Sequence, residues 1–197
     1  MTGPAKVFPL HGNQMAAVSP EDTVWLSASA GTGKTQVLSS RVLRLLLRPR
    51  VTPSQILCLT FTKAGATEMA ARINGTLAEW VRLPDPELFR RLEAIGAPSD
   101  PATRDRARTL FAAVLDCPGG GLRIDTIHAF AQWLLGAFPH EAGLAPGTRA
   151  MEDRDRVLLS RQVLADLLVK AEQDPLGDPQ LLAALEDLSL RMGPDEA

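Results

Sequence analysis

The sequence contains no tyrosine, only two cysteines and only 5% aromatic residues, and its formal net charge is -2. Two cysteines without a metal-binding spacing build no disulfide framework, as is usual in the reducing cytoplasm. No apolar run is long enough to cross a membrane, and the first residues carry no secretory signal. We therefore expect a globular, cytoplasmic protein without a membrane segment.

Charge is distributed unevenly along the 197 residues. A near-neutral total excludes a surface that is basic all over, although it permits a local basic patch. Residues 172–196 contain seven acids and a single base, Arg191. We expect a polyanion to bind the N-terminal half, where residues 34–50 carry five bases and no acid: Lys34, Arg41, Arg44, Arg48 and Arg50.

Short apolar strands alternate with amphipathic helices along most of the chain. The apolar runs predict strands at residues 24–29, 56–61 and 122–126. This alternation predicts an α/β fold in which helices flank a parallel sheet, followed by a helical C-terminal segment. The predicted helices cover residues 33–47, a segment beginning after Thr62, and residues 87–95, 103–115, 127–138, 152–171 and 179–190.

Residues 28–35, here called the glycine-rich loop, match the P-loop pattern with alanine in place of the first glycine. Small side chains let backbone amides approach a phosphate chain, and glycine adopts the positive φ values that such a loop requires. The pattern places Lys34 on the β- and γ-phosphates and Thr35 on Mg²⁺. The alternative is a simple turn that ends in Lys-Thr. The predicted nucleotide contacts are Ala28, Ser29, Ala30, Gly31, Thr32, Gly33, Lys34 and Thr35.

Three further features accompany the glycine-rich loop. Gln14 could present its amide, which both donates and accepts, to an adenine edge, or it could be a solvated surface residue. Residues 59–73 read LTFTKAGATEMAARI and residues 124–135 read IDTIHAFAQWLL. Each of these two segments places polar residues where a strand ends and a helix begins, the position at which parallel sheets expose ligand sites.

Together these motifs resemble the Q motif and motifs I, Ia and Ib of the UvrD/Rep group of superfamily 1 DNA helicases. The resemblance covers residues 14 to about 135 and is closest to the RecB and AddA branch, whose members pair a helicase with a nuclease in double-strand break repair. Gly65 departs from the pattern, since the family usually has alanine there. Glycine is about 1 kcal/mol less favourable than alanine in a helix, but the exchange removes no functional group.

The resemblance implies two sites. Gln14 and the glycine-rich loop would bind ATP with Mg²⁺, with Lys34 and Thr35 as the catalytic residues among them. Single-stranded DNA would contact five residues: Phe61, Thr62, Lys63, Thr126 and His128.

Other interpretations of these residues stay open on the sequence. Phe61 could be core, His128 a buried histidine, and Lys63 a solvated lysine. Arg41, Arg44 and Arg48 are expected to form a solvated helix face, with contact to DNA or a partner as the alternative.

The resemblance also implies an arrangement of domains. Residues 1–148 would be the N-terminal part of RecA-like domain 1A, and residues 149–197 the start of the helical 1B insertion. The protein would act with a second, AddB-like subunit.

The acidic strand end that P-loop enzymes need for hydrolysis is not recognisable in the sequence. Asp125 precedes the Thr-x-His element, and Glu186-Asp187 lies in a helical pattern. We therefore expect an N-terminal piece of a longer helicase that does not hydrolyse ATP alone. The alternatives are a small P-loop ATPase or kinase that uses Asp125 to bind Mg²⁺ and binds no DNA, and a non-catalytic nucleotide-binding adaptor.

Overall fold

The computed structural model describes residues 9–27, 29, 31–118, 121–173 and 179–191, with the side chains of residues 179–182, 185 and 189 excepted. The chain divides into two compact units, Met1–Ala137 and Phe138–Ala197. The described elements are α1 (Asn13–Ala17), α2 (Lys34–Leu46), β1 (Leu57–Thr60), α3 (Lys63–Arg82), α4 (Asp85–Ala94), α5 (Pro101–Leu115), β2 (Arg123–Thr126), α6 (Ile127–Ala137), α7 (Asp153–Gln173) and α8 (Pro179–Arg191).

The sheet of the first unit is a parallel pair. Strands β1 and β2 pair in a register that places Leu57 opposite Arg123 and Thr60 opposite Thr126. Both strands therefore end at the same edge, and each is followed directly by a helix. The predicted mixture of a parallel sheet and helices is confirmed, with two strands in the described residues rather than three.

The strand predicted for residues 24–29 is wrong over its described part before the glycine-rich loop. Residues 24–27 form no strand, and Trp25 is 93% exposed. A parallel strand needs a hydrogen-bonded neighbour. In the described residues the sheet contains only β1 and β2, and residues 24–27 pair with neither. The apolar composition of this segment therefore did not suffice to form a strand.

Four helices supply the main core of the first unit. The buried side chains of α3, including Ile73, Leu77 and Trp80, meet those of α2, α4 and α5. Full burial of each such side chain stabilises the fold by roughly 1.5–3 kcal/mol. Helix α3 also contacts both strands, so the core helices hold the sheet in place. Glu68 and Arg72, one helical turn apart on the exposed face of α3, form an ion pair at 3.0 Å.

Arginines join the core helices through polar contacts. Arg106 of α5 donates to the carbonyl oxygens of Leu46, the last residue of α2, and of Val51, at 2.9 and 2.7 Å. Asp100 caps α5 by accepting from the amide and hydroxyl of Thr103, and these hydrogen bonds hold the pKa of that carboxyl below its ordinary value. The C-terminal end of α2 and the start of α5 are thereby fixed.

A second, smaller core lies beneath α1. Leu10, Ala17 and Val18 pack against Val37 of α2, with Val24 and Leu26 partly buried beside them. Because α1 is only five residues long, its helical hydrogen bonds alone cannot hold it in place. Contact with α2 therefore positions α1.

The second unit contains α7 and α8, which pack against each other. Helix α7 buries none of its side chains. Ion pairs within the helices join Arg156 to Asp153 at 3.2 Å and Arg191 to Asp187 at 3.0 Å. The helical C-terminal segment is confirmed. No helix in the described part of the chain is both long and apolar enough to span a membrane.

Helix α2 begins at a glycine with left-handed backbone geometry. Gly33 precedes the first residue of the helix with φ of 84°, and Gly31 has φ of 80°. L-residues with a Cβ rarely adopt these values, since the Cβ meets the following carbonyl oxygen. The prediction that Gly31 and Gly33 take positive φ is confirmed.

We expect Gly33→Ala to lower the free energy of unfolding by roughly 1–2 kcal/mol, because the left-handed conformation is strained for alanine. The matched control is Gly75→Ala inside α3, where a Cβ meets nothing within 4 Å and φ is not positive. Alanine there should stabilise by up to about 1 kcal/mol. Urea unfolding of the two variants measures both effects, and a change of the same sign in both would contradict the assignment.

Candidate functional site

The glycine-rich loop forms a turn that leads into α2. The hydroxyl of Thr32 donates to the carbonyl oxygen of Ser29 at 2.7 Å and closes the turn. A Cβ added at Gly31 would meet nothing within 4 Å, so space lies beside the backbone there. Two of the predicted contacts, Ala28 and Ala30, lie outside the described residues. The described part has the open, glycine-supported backbone that a phosphate needs to approach.

The start of α2 suits a negative ligand. No side chain caps the helix at Gly33, and its first turn contains no acidic residue. No acidic side chain of this first turn therefore offsets the partial positive charge of the helix N-terminus. Lys34 is exposed and Thr35 half-buried in this first turn. A cationic side chain and a hydroxyl thus stand where a triphosphate would meet the helix.

Gln14 lies against the glycine-rich loop. Its Nε2 is 3.5 Å from the carbonyl oxygen of Thr32, at the long limit of a hydrogen bond, and its Oε1 accepts from the backbone amide of His11 at 3.3 Å. The side chain is half-buried rather than free in solvent. The structure thus brings the predicted base-recognition residue and the loop together. A contact to adenine stays a prediction.

The end of β1 presents an exposed aromatic ring. Phe61 is 87% exposed, so the alternative of a core phenylalanine is wrong. Thr62 caps α3 by accepting from the amide of Gly65 at 3.0 Å. A Cβ at Gly65 would lie only 3.1 Å from that Thr62 oxygen, so glycine leaves room for the cap. Lys63 is exposed in the first turn of α3.

The end of β2 repeats this arrangement. The hydroxyl of Thr126 accepts from the amide of Ala129 at 3.1 Å and caps the start of α6. His128 is exposed, so the alternative of a buried histidine is wrong. Because Thr126 is paired with Thr60 across the sheet, these residues share an edge with Phe61. The structure therefore brings the five predicted DNA-contact residues to the ends of two neighbouring strands: Phe61, Thr62, Lys63, Thr126 and His128.

Asp125 already has a cationic partner. Its Oδ2 accepts from Nε of Arg123 at 2.9 Å, and the guanidinium of Arg123 lies 3.6 Å from the ring centre of Trp133. The sequence did not predict this Arg123–Trp133 contact, because residues ten apart carry no pairing signal. In the described residues no group of three or more His, Cys, Asp or Glu side chains could hold a metal ion. Because Asp125 is paired with Arg123, its role as a Mg²⁺ ligand is not favoured.

The basic face of α2 differs from the expected solvated surface. Arg41 donates to the backbone carbonyl oxygens of Ala17, Ser19 and Asp22. Arg48 pairs with Glu21 at 3.0 Å. Burial lowers the pKa of the Arg44 guanidinium, and the charge of Arg41 adds to that effect. The prediction of a solvated face is wrong for Arg41, whose donors bind the last residue of α1 and the segment that follows it.

Comparisons with known proteins agree with this geometry. Residues 10–189 match the family model described as UvrD/REP helicase N-terminal domain. The chain is 31% identical over 172 residues to an ATP-dependent helicase/nuclease subunit of Moorella thermoacetica, a match covering 85% of this chain and 11% of that protein.

Two further relatives are ATP-dependent helicase/nuclease subunits of the same name. The Pelotomaculum thermopropionicum protein is 31% identical over 177 residues, covering 88% of this chain and 12% of the relative. The Latilactobacillus sakei protein is 32% identical over 153 residues, covering 77% of this chain and 15% of the relative. The chain thus spans only a small part of the length of these relatives. The family model, in contrast, matches most of the 197 residues of this chain. It belongs to the family of UvrD/REP helicase N-terminal domains.

Proposed function

We propose that this chain is the N-terminal, ATP-binding part of an ATP-dependent DNA helicase of the AddA-like helicase-nuclease type. The named relatives are ATP-dependent helicase/nuclease subunits, and they support this assignment. The observation that carries it is the combination of an uncapped, lysine-bearing start of α2 with two capped helix starts at one sheet edge. A nucleotide site and a strand-binding edge are what a translocating motor requires.

ATP binds at the glycine-rich loop in this proposal. The backbone from Gly31 to Thr35 surrounds the phosphates, Lys34 neutralises their charge, and Thr35 binds Mg²⁺. Gln14 contacts the adenine from its place beside Thr32. Bound Mg²⁺ would supply charge neutralisation at the phosphates and would take most of its other ligands from the nucleotide and water.

Single-stranded DNA binds along the edge where β1 and β2 end. Phe61 stacks on a base, since its ring is exposed and aromatic stacking tolerates any sequence. The starts of α3 and α6 bind backbone phosphates, with Lys63 and His128 beside them. Thr62 and Thr126 fix the two helix starts by capping them.

The wider assignment covers domains and partners. Residues 1–148 belong to RecA-like domain 1A and residues 149–197 begin the 1B insertion. The intact protein acts on duplex and single-stranded DNA in double-strand break repair and recombination, in the cytoplasm, with a second, AddB-like subunit. The 197-residue chain binds ATP without hydrolysing it, because in the described strands the acid nearest a strand end, Asp125, is already paired with Arg123.

Lys34→Ala should weaken binding of a fluorescent ATP analogue in the presence of Mg²⁺ by about ten- to hundredfold, because a charge-assisted contact to phosphate is lost. Lys63→Ala is the matched control, as Lys63 is also the first residue of a helix. It should leave nucleotide affinity unchanged. Equal losses in both variants, or rapid phosphate release by the chain, would contradict the proposal.

Phe61→Ala should weaken binding of labelled oligothymidine by roughly five- to hundredfold, since one base stack is worth about 1–3 kcal/mol. Fluorescence anisotropy at several salt concentrations measures this affinity, which should fall as salt rises. Phe89→Ala in α4 is the control, because Phe89 is also partly exposed but belongs to a helix that follows neither strand. The DNA site is refuted if both variants bind as the wild type does.

A further inference from the structure

The guanidinium of Arg41 binds three backbone carbonyl groups at once. It donates from Nη1 to Ala17, at 3.0 Å, and to Ser19, and from Nη2 to Asp22. Arg41 lies in the middle of α2, the helix that begins at the glycine-rich loop. The acceptors lie at the last residue of α1 and in the segment that follows it. One side chain therefore links α2 to the C-terminal end of α1 and to the residues that follow it.

The acceptors are groups that need a donor. Ala17 is the last residue of α1, and the carbonyl groups at a helix C-terminus have no partner within the helix. A cation at that end also interacts favourably with the helix dipole. Arg41 meets both needs, which explains why so short a helix keeps a defined place beside α2.

The geometry of Arg41 is not shared by its neighbours on the same face. Arg48 pairs with the Glu21 side chain, and the described residues contain no hydrogen bond or ion pair from Arg44. A lysine could not replace Arg41, because its single nitrogen lacks the planar fork that reaches several acceptors. Arg41 thus makes a specific contact within a generally basic face.

The position of Gln14 follows from this contact. Gln14 is on α1, three residues before Ala17, and its Nε2 lies 3.5 Å from the carbonyl oxygen of Thr32 in the glycine-rich loop. The buried contacts of Ala17 and Val18 with Val37 hold α1 against α2 but are non-directional. The hydrogen bonds of Arg41 are directional, so they fix the position of α1 along the axis of α2.

We propose that Arg41 is a positioning residue that sets Gln14 against the glycine-rich loop and thereby determines the preference for adenine over other bases. The inference rests on the proposed nucleotide site. It assigns base selectivity to a residue that touches neither the base nor the phosphates. Phosphate binding itself depends on the loop and Lys34, so it should survive loss of Arg41.

The test compares Arg41→Met with Arg44→Met, which removes an arginine of the same face that makes no hydrogen bond within the described part of the chain. The affinities of ATP, GTP and inorganic tripolyphosphate are measured by competition with a fluorescent nucleotide. Arg41→Met should reduce the ratio of ATP to GTP affinity by about three- to tenfold, the equivalent of one hydrogen bond, and leave tripolyphosphate affinity unchanged. Arg44→Met should leave the ratio as in the wild type.

A double-mutant cycle with Gln14→Ala tests whether Arg41 acts through Gln14. Once Gln14 is absent, Arg41→Met should change the ATP to GTP ratio no further, since coupled residues are not additive. Fully additive effects would overturn the proposal. An equal loss of affinity for all three ligands would overturn it as well, because Arg41 would then support the fold generally.

Hydrogen–deuterium exchange separates failure of this inference from failure of the nucleotide site. Arg41→Met should raise amide exchange in residues 13–20 by about tenfold or more and leave the α3 core unchanged. If the wild-type chain binds no nucleotide, the proposed function fails, and so does the selectivity role. Unchanged amide exchange in residues 13–20 of Arg41→Met would show that Arg41 does not position α1, whether or not the chain binds nucleotide.

Discussion

The left-handed backbone at Gly33 is the constraint on which the candidate nucleotide site depends. It lets the chain turn from the loop directly into α2 without a capping side chain, so the first turn faces outward with Lys34 and Thr35. The same helix runs on into the core and fixes α1 through Arg41. The proposed phosphate contacts, the proposed base contact and the stability of the fold therefore all depend on this one helix.

A second constraint is the parallel pairing of β1 and β2. Because parallel strands end at the same edge, two segments more than sixty residues apart in sequence place their capped helix starts side by side. Helix α3 contacts both strands and the core, so the edge is supported from beneath. Membership of the UvrD/REP family implies a P-loop NTPase fold, and the described mixture of parallel strands and helices agrees with it.

Features that a local rule decides could be predicted from the sequence. Glycine adopts the φ values at positions 31 and 33 without strain, and a threonine before an alanine-rich helix is a favourable cap, as Thr62 proves to be. The surface pair of Glu68 and Arg72 follows from helix spacing alone.

Features that depend on partners distant in sequence could not be predicted. The apolar run at residues 24–27 forms no strand because it lacks a paired neighbour, a condition that composition does not record. Arg41 was assigned to solvent because helical periodicity says which residues share a face and not what that face meets. For the same reason Asp125 stood as a possible metal ligand until its pairing with Arg123 was visible.

The most direct measurement of the central claim is the backbone amide NMR spectrum of the chain titrated with a non-hydrolysable ATP analogue and Mg²⁺. If the glycine-rich loop surrounds the phosphates, the amides of Gly31, Gly33, Lys34 and Thr35 shift strongly while that of Gly75 in α3 does not. Shifts centred on Asp125, or a spectrum unchanged at millimolar analogue, would contradict the account.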